Sequence, residues 1–164
     1  MDLSEKPGIN GVLTIDICDA SGALVEQRRI PNLITTAGKQ LLANLLIGRL
    51  NAMPTRWAIV VGTGQTTAPA LGDTALEKKV DEAADTSPKV EIVTKGDGII
   101  VVRATVSATL PALNLAPTDK PQALTEAGIQ ITQGTNPILF NRVRFEQVNR
   151  GANMVMKMAW EISF

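Results

Sequence analysis

The strict alternation of residues 154–164 constrains the fold more than any other feature of this sequence. Successive side chains of a β-strand point to opposite faces, so every second residue shares a face. On one face all six side chains are large and apolar: Met154, Met156, Met158, Trp160, Ile162 and Phe164. The pattern predicts a half-buried strand whose apolar face contributes on the order of 10 kcal/mol before chain entropy is subtracted.

The methionines of this strand allow two kinds of packing and one kind of chemistry. Thioethers are soft ligands for copper, but alternation spreads these sulfurs about 7 Å apart along one face. Flexible methionine side chains fill irregular contacts in cores and in subunit interfaces alike. The six apolar residues are therefore candidates for a core strand or an interface strand, and no metal is expected.

Period-two patterns recur through the first half of the sequence. Alternating apolar residues over 13–17 and a return segment over 23–30 predict a hairpin, because residues 19–22 read Asp-Ala-Ser-Gly. Pro31 is expected to end its pairing, since proline lacks an amide hydrogen. Residues 57–61 form a short, β-branched apolar run, which indicates a central strand.

The hydrophobic period changes to that of a helix after Thr36. Leucines at 41, 42, 45 and 46 are spaced for one helical face, and Gly48 can end the helix in a left-handed conformation. Thr35 or Thr36 can cap its first turn. We expect a helix over 36–47 that buries these four leucines, followed after residue 61 by a loop and a short helix over 75–79 capped by Asp73 or Thr74.

The second half of the sequence reads as strands separated by turn chemistry. The Asp-Gly pair at 97–98 predicts a hairpin between residues 90–94 and 99–110, and three prolines indicate a long loop over 111–122. Strands are expected over 127–132, 138–145 and 154–164. The sum is a mainly β fold with a minor helical part. We expect an antiparallel β-sandwich or jelly-roll-like domain of about eight strands, with one α-helix near residues 36–47.

The chain length favours one domain. Its 164 residues suffice for a single core but not for two ordinary domains, so 1–164 is read as one β-rich structural domain, with residues 1–8 as a candidate flexible N-terminal arm. No apolar run approaches the roughly 20 residues that span a bilayer. The first ten residues do not resemble a secretory signal, which predicts a product made for, or released from, a cytoplasm.

Charge and residue inventory weaken several classes of function. Sixteen basic residues balance sixteen acidic ones, so no long-range field favours nucleic acid or an anionic membrane. Histidine and tyrosine are absent, which removes the commonest general base and metal ligand. We therefore expect no enzyme and no cofactor, and we expect partners to be protein surfaces.

Four groups of residues are candidates for binding or catalysis. Gly62, Thr63 and Gly64 follow a strand as a phosphate-binding turn would, but the third glycine and the lysine of such motifs are missing. We therefore interpret this segment as a glycine turn leaving a sheet. The lone Cys18 ends an apolar alternation and is interpreted as a small core residue and not as a thiolate.

The charged constellations favour a solvated surface. A patch of basic residues could bind nucleic acid: Arg142, Arg144, Arg103 and Lys157. Because the chain has few aromatic residues to stack on bases, we expect instead a solvated face with cross-strand ion pairs to Glu146 or Glu161. A separate acidic run is interpreted as a solubilising surface loop, because no aromatic sugar platform lies near it. That run consists of Asp81, Glu82 and Asp85.

Several segments taken in order resemble a known group of proteins. Residues 32–38 lead into the leucine helix and are followed by 59–64, Ala68-Pro69 and 73–76. The later segments 126–129, 139–145 and 160–164 continue the series. This order resembles small tail-fibre and baseplate-associated structural proteins of tailed bacteriophages and related contractile particles.

The resemblance implies a β-rich virion component that is often oligomeric and has no catalytic residues to transfer. It implies partners that are copies of the chain itself, as a trimer or hexamer, and other virion structural proteins, in particles assembled in a bacterial cytoplasm. The absence of a repeat argues against a long fibre shaft. Two alternatives stay open: a capsid decoration (cement) or head-fibre protein, and a host-surface carbohydrate-binding module.

Overall fold

The computed structural model describes residues 8–164, and this range contains ten β-strands and one α-helix. In chain order they are β1 Asn10–Asp19, β2 Leu24–Ile34, α1 Thr36–Leu46, β3 Pro54–Gly62, β4 Lys79–Asp85, β5 Lys89–Thr94, β6 Ile100–Leu110, β7 Gln122–Gln133, β8 Asn136–Leu139, β9 Asn141–Arg150 and β10 Met154–Ser163. The predicted mainly β class with antiparallel strands is confirmed. The candidate arm lies outside the described residues except for Gly8.

All strand pairings are antiparallel. The strands follow the order β4-β3-β7-β9-β2-β1-β10-β6-β5, with β8 beside β7. The path narrows between β2 and β9, where only Leu33 with Arg142 and Ile34 with Asn141 are paired. This narrow junction separates one layer of β2, β1, β10, β6 and β5 from a second layer of β4, β3, β7, β8 and β9.

The hydrophobic core lies between these two layers. Trp160 from the first layer belongs to the same buried cluster as Ile59 and Ile129 from the second. At the side opposite the β2–β9 junction, the Asp85 carboxylate of β4 accepts a hydrogen bond from the Ser107 amide of β6 at 2.7 Å. The layers therefore meet at both sides of the sandwich.

The first hairpin forms at the predicted turn. The Asp19 carboxylate accepts hydrogen bonds from the amides of Ser21 at 2.9 Å and Ala23 at 3.0 Å, which stabilises the turn. The expected end of pairing at Pro31 is wrong, because β2 continues to Ile34. Pro31 keeps its register opposite Val12 of β1, and beyond it Asn32 still pairs with β1 while Leu33 and Ile34 pair with β9.

The helix begins as predicted, with Thr35 as its cap. Thr35 Oγ1 accepts a hydrogen bond from the Gly38 amide at 3.0 Å and donates to the Leu139 carbonyl at 2.6 Å. A Cβ atom on Gly38 would lie 2.6 Å from the Phe140 carbonyl oxygen. Glycine at this position is therefore required by a close approach of helix and strand, at a cost in helix propensity of about 1 kcal/mol.

The expected burial of four leucines is wrong. Leu41 is buried and Leu42 is half-buried, whereas Leu45 and Leu46 are exposed, Leu46 by 86%. The contacts of Thr35 and Gly38 hold only the first turn of α1 against the strands. The buried residues of α1 are Gly38 and Leu41, and the leucines of its last turn stay exposed to solvent.

The expected short helix at 75–79 is also wrong, since residues 63–78 form a connection without helix and β4 begins at Lys79. Asp73, proposed as a helix cap, accepts a hydrogen bond from the Ala70 amide at 2.9 Å and another from Arg142 at 2.9 Å. Asp73 therefore caps no helix, and its carboxylate fixes the connection through these two contacts.

The acidic run read as a surface loop is a strand. Asp81, Glu82 and Asp85 belong to β4, which pairs with β3 along almost its whole length. Asp81 accepts a hydrogen bond from the buried Arg150, and Glu82 forms ion pairs with Arg56 and Lys79. These partners come from other strands or from the start of β4. A charge-rich segment whose composition predicts a loop is therefore stabilised as a strand by ion pairs and by its ladder with β3.

The last quarter contains the three predicted strands with changed boundaries. β7 begins at Gln122, well before the expected residue 127. The expected strand over 138–145 is divided into β8 and β9, which continue one another along the same side of β7. Phe140 separates them, and its amide still donates to the Ile129 carbonyl at 2.8 Å.

Candidate functional site

The strand predicted as core or interface is a core strand at four of its six positions. β10 lies between β1 and β6 in the middle of its layer. Met156, Met158, Trp160 and Ile162 are buried, and Met154 is half-buried. The Trp160 indole Nε1 donates to Asn32 Oδ1 at 2.9 Å, so the polar edge of the ring also has a partner. These side chains are therefore part of the hydrophobic core.

The apolar face of this layer does not stop where the core stops. Phe164 follows β10 and is 51% exposed, and its amide donates to the Val102 carbonyl at 2.9 Å. The core-facing side of β5 and β6 also carries apolar residues that are exposed to solvent. We call this set the hairpin face, and it consists of Val90, Ile92, Ile100, Val102 and Phe164.

The hairpin face is unusually apolar for a solvent-exposed surface. Val90 is 72% and Ile92 is 79% exposed, although both are β-branched residues that favour packed sheet positions. A cavity of about 250 Å³ adjoins the face and is lined mainly by apolar residues, among them Trp57, Phe140 and Phe164. A contiguous apolar patch of this kind is typical of a protein-contact surface.

A second exposed apolar patch lies at the end of α1. It comprises Leu45, Leu46, Ile47 and Met53, which are all more than 40% exposed. Three of these residues belong to the last turn of α1 or follow it directly, where the helix is not buried. We call it the helix-end patch.

A cluster of buried charges, which sequence reasoning missed, fixes the 63–78 connection. Glu126 is fully buried in β7. Its Oε1 accepts hydrogen bonds from the amides of Gly64 at 3.2 Å and Lys78 at 2.8 Å, and its Oε2 accepts from the Glu77 amide at 3.1 Å. Both ends of the connection are thus bound to one carboxylate.

Arg142 completes this cluster. Its guanidinium donates to Glu126 at 3.0 Å and to Asp73 at 2.9 Å, and it lies 3.7 Å from the Glu77 carboxylate. Burial favours the neutral form of Arg142, but the hydrogen bonds to Asp73 and Glu126 outweigh burial and raise its pKa. A third bond reaches the Thr67 carbonyl at 3.1 Å. The interpretation of Arg142 as part of a solvated face is wrong.

The Glu77 carboxylate is held by the connection itself. Hydrogen bonds from the Thr66 hydroxyl, and then from the Thr67 amide at 3.0 Å, lower the pKa of Glu77 from its ordinary 4.5 to about 2. All its donors favour the ionised carboxylate. The carboxylates of this cluster accept hydrogen bonds from donors of the chain, and through them they order the connection.

The remaining basic residues of the predicted patch separate. Arg144 donates to the Gln65 carbonyl at 2.7 Å, not to Glu146. Arg103 of β6 lies diagonally across from Glu161 of β10, with 3.6 Å between Arg103 Nε and Glu161 Oε2, so the predicted cross-strand pair to Glu161 is confirmed for this one arginine. Lys157 is exposed in β10 and lines a shallow polar groove.

The glycine turn after β3 has a packing explanation. A Cβ atom on Gly62 would lie 2.5 Å from a Glu126 carboxylate oxygen, and one on Gly64 would lie 2.6 Å from the same atom. The Gly64 amide is already bound to Glu126, so it is not free to hold a phosphate. The predicted glycine turn leaving a sheet is confirmed, and so is the burial of Cys18.

Two signals in the sequence point weakly to the cluster. Glu126 interrupts an apolar segment, and Arg142 interrupts another, at positions where an unpaired charge would be costly. Their separation in sequence gives no sign that they pair. Only the adjacency of β7 and β9 brings them together.

Searches for other kinds of site and for relatives gave negative results. Within residues 8–164, no group of three or more acidic or cysteine side chains is arranged to hold a metal ion, and no helix is long and apolar enough to cross a bilayer. Comparison of the chain with protein-family models, with curated proteins and with solved structures found no significant match.

Proposed function

We propose that this protein is a structural subunit of a bacteriophage virion or a phage-tail-like particle, acting in the tail, baseplate or fibre-attachment region through protein–protein assembly. The observation that carries the proposal is the exposed hairpin face, which continues the core-facing side of a sheet into solvent. Val90, Ile92 and Phe164 are each at least half exposed there. Covering such residues on assembly releases water from apolar surface and favours association.

The ordered 63–78 connection of the sandwich supports the same proposal. A subunit of a particle must hold its contact surfaces in fixed positions, and the charge cluster around Glu126 and Arg142 fixes the longest connection of the sandwich. The ordered resemblance to tail-fibre and baseplate-associated proteins points to the same role. Near-zero net charge is compatible with close packing of many copies.

The burial of Trp160 weakens the carbohydrate-binding alternative. Sugar rings stack on exposed aromatic faces, but Trp160 is fully buried and its indole nitrogen is bonded to Asn32. Trp57 is only partly accessible, at the edge of the apolar cavity. The chain therefore offers few platforms for a glycan.

The test is to delete the gene from the genome that carries it and to examine the resulting particles by negative-stain electron microscopy and infectivity. We expect particles without tails, baseplates or fibres, restored by the gene supplied in trans. Mass spectrometry of separated heads and tails identifies the location. Recovery in the tail fraction supports the proposal, and recovery in the head fraction alone selects a decoration or head-fibre protein. Intact, infectious mutant particles would refute it.

A further inference from the structure

We propose that two copies of this chain pair edge to edge through β5, so that the β5–β6 sheet continues from one copy into the next. This inference rests on the proposed function, because it names a second copy of the chain as the partner at the β5 edge, next to the hairpin face. β5 is at the end of the strand order and pairs only with β6. Its outer edge therefore presents backbone groups that a further strand can use.

Charge complementarity selects one register for this pairing. A two-fold axis perpendicular to the sheet keeps each side chain on its own face and places one residue opposite itself. With Val90 opposite Val90 of the second copy, Lys89 lies opposite Glu91 of the second copy, and Glu91 lies opposite its Lys89. Opposite charges directly across an antiparallel pair are stabilising. Within residues 8–164, neither Lys89 nor Glu91 forms a salt bridge.

The neighbouring registers are worse. Centring the axis on Glu91 places two glutamates opposite each other, and centring it on Ile92 places Lys89 opposite Lys95, twice. Like charges in these positions are destabilising. Centring it on Val93 pairs Glu91 with Lys95, but Lys95 lies in the turn, where its amide already bonds across the hairpin at 2.8 Å.

The favoured register also brings the apolar faces together. Val90 and Ile92 lie on the core-facing side of β5, away from Lys89 and Glu91. Pairing about Val90 places Ile92 of the second copy beside Pro88, which precedes β5, has no amide hydrogen for the ladder and lines the cavity beside the hairpin face. The two hairpin faces then form one continuous apolar surface, and each copy contributes an isoleucine to the rim of the other's cavity.

Charge variants test the register directly. Lys89→Glu alone places two glutamates opposite each other in both cross-strand pairs, and Glu91→Lys alone places two lysines there. Either variant should therefore weaken self-association about tenfold. An equimolar mixture of the two variants restores both opposite-charge pairs, as does the double variant Lys89→Glu/Glu91→Lys. Lys95→Glu is the matched control, which should leave association unchanged. Sedimentation velocity over a concentration series measures each dissociation constant.

Cross-linking tests the proximity independently of affinity. Val90→Cys places two thiols opposite each other at the axis, where paired Cα atoms are close enough for a disulfide, while native Cys18 is buried. Incubation with oxidised glutathione should give a covalent dimer. Thr94→Cys is the control, because in this register its two copies lie roughly 26 Å apart along the strand.

The outcomes separate this inference from the proposed function. Weakening by each single variant, recovery in the mixture and a Val90→Cys dimer support β5 pairing. A wild-type chain that oligomerises equally in every charge variant and gives no cross-link overturns β5 pairing, as does a chain that stays monomeric. Either of these results leaves the particle role to be decided by the gene deletion.

Discussion

Arg142 and Glu126 lie side by side in the interior, with Arg142 Nε 3.0 Å from Glu126 Oε2. They come from adjacent strands, β9 and β7, and each is more than 95% buried. Glu126 also binds the 63–78 connection through backbone amides. Both members of this buried pair therefore bind the connection to the sheet, because Arg142 also donates to Asp73.

Removing the cation from this pair should be costly. Arg142→Met leaves Glu126 as a buried carboxylate without its counter-charge, so we expect a loss of about 3 to 5 kcal/mol in the free energy of unfolding. Urea denaturation at neutral pH measures it.

Arg144→Met is the matched control for this substitution. Arg144 lies two positions along the same strand, and its guanidinium is hydrogen-bonded to the Gln65 carbonyl. We expect a loss of less than about 1 kcal/mol. Equal losses in the two variants would contradict a special role for the buried pair.

Glu77 should make stability depend on acid. Its folded pKa of about 2 lies below the ordinary 4.5, so its ionisation favours the folded state above pH 4.5, and this contribution is lost as the pH falls towards 2. Glu77→Gln should therefore lower the melting temperature at pH 7, and the difference from wild type should shrink steadily below pH 4.5.

Calorimetry across this pH range provides the comparison. Glu146→Gln is the control, because the Glu146 carboxylate makes no hydrogen bond or ion pair within residues 8–164. A pH-independent effect of Glu77→Gln would contradict the assignment, since it would mean that charge is not what the substitution removes.

Gly38→Ala should destabilise the protein although alanine is the better helix former. The new Cβ atom would lie 2.6 Å from the Phe140 carbonyl oxygen. Overpacking costs about 1 to 3 kcal/mol, against a gain in helix propensity of about 1 kcal/mol. Gly72→Ala, at a position with nothing within 4 Å, should change stability little. A more stable Gly38→Ala protein would show that the helix can move away from β9.

Substitutions at Trp160 and Phe164 should separate an effect on folding stability from an effect on assembly. Trp160→Ala empties a fully buried site and should cost about 3 to 5 kcal/mol. Phe164→Ala removes a half-exposed ring from the hairpin face, so it should cost less than about 1 kcal/mol in folding but reduce incorporation into particles. Removal of residues 160–164 should abolish both, and a truncated chain that still folds and enters particles would contradict the importance of this strand.

The sequence predicted the elements whose patterns are local. The alternation of Trp160 and its neighbours, the turn at Asp19 and the capped first turn of α1 each depend on residues close in sequence, and each is present in the structure. The errors occur where distant strands decide. β4 carries acidic residues that predict a loop, but it is a strand because β3 supplies its ladder and Arg150 and Arg56 supply its counter-charges.

The candidate surface shows the same division. By itself, the sequence determined a β-rich chain with a strongly apolar final strand, because a period of two specifies which side chains share a face. Only the tertiary structure decided that Met156 and Trp160 are interior while Ile92 and Phe164, on the same side of the sheet, are exposed. The physical reason is that burial depends on which side chains the opposing layer covers, and periodicity gives the shared face of a strand but not the position of a second layer.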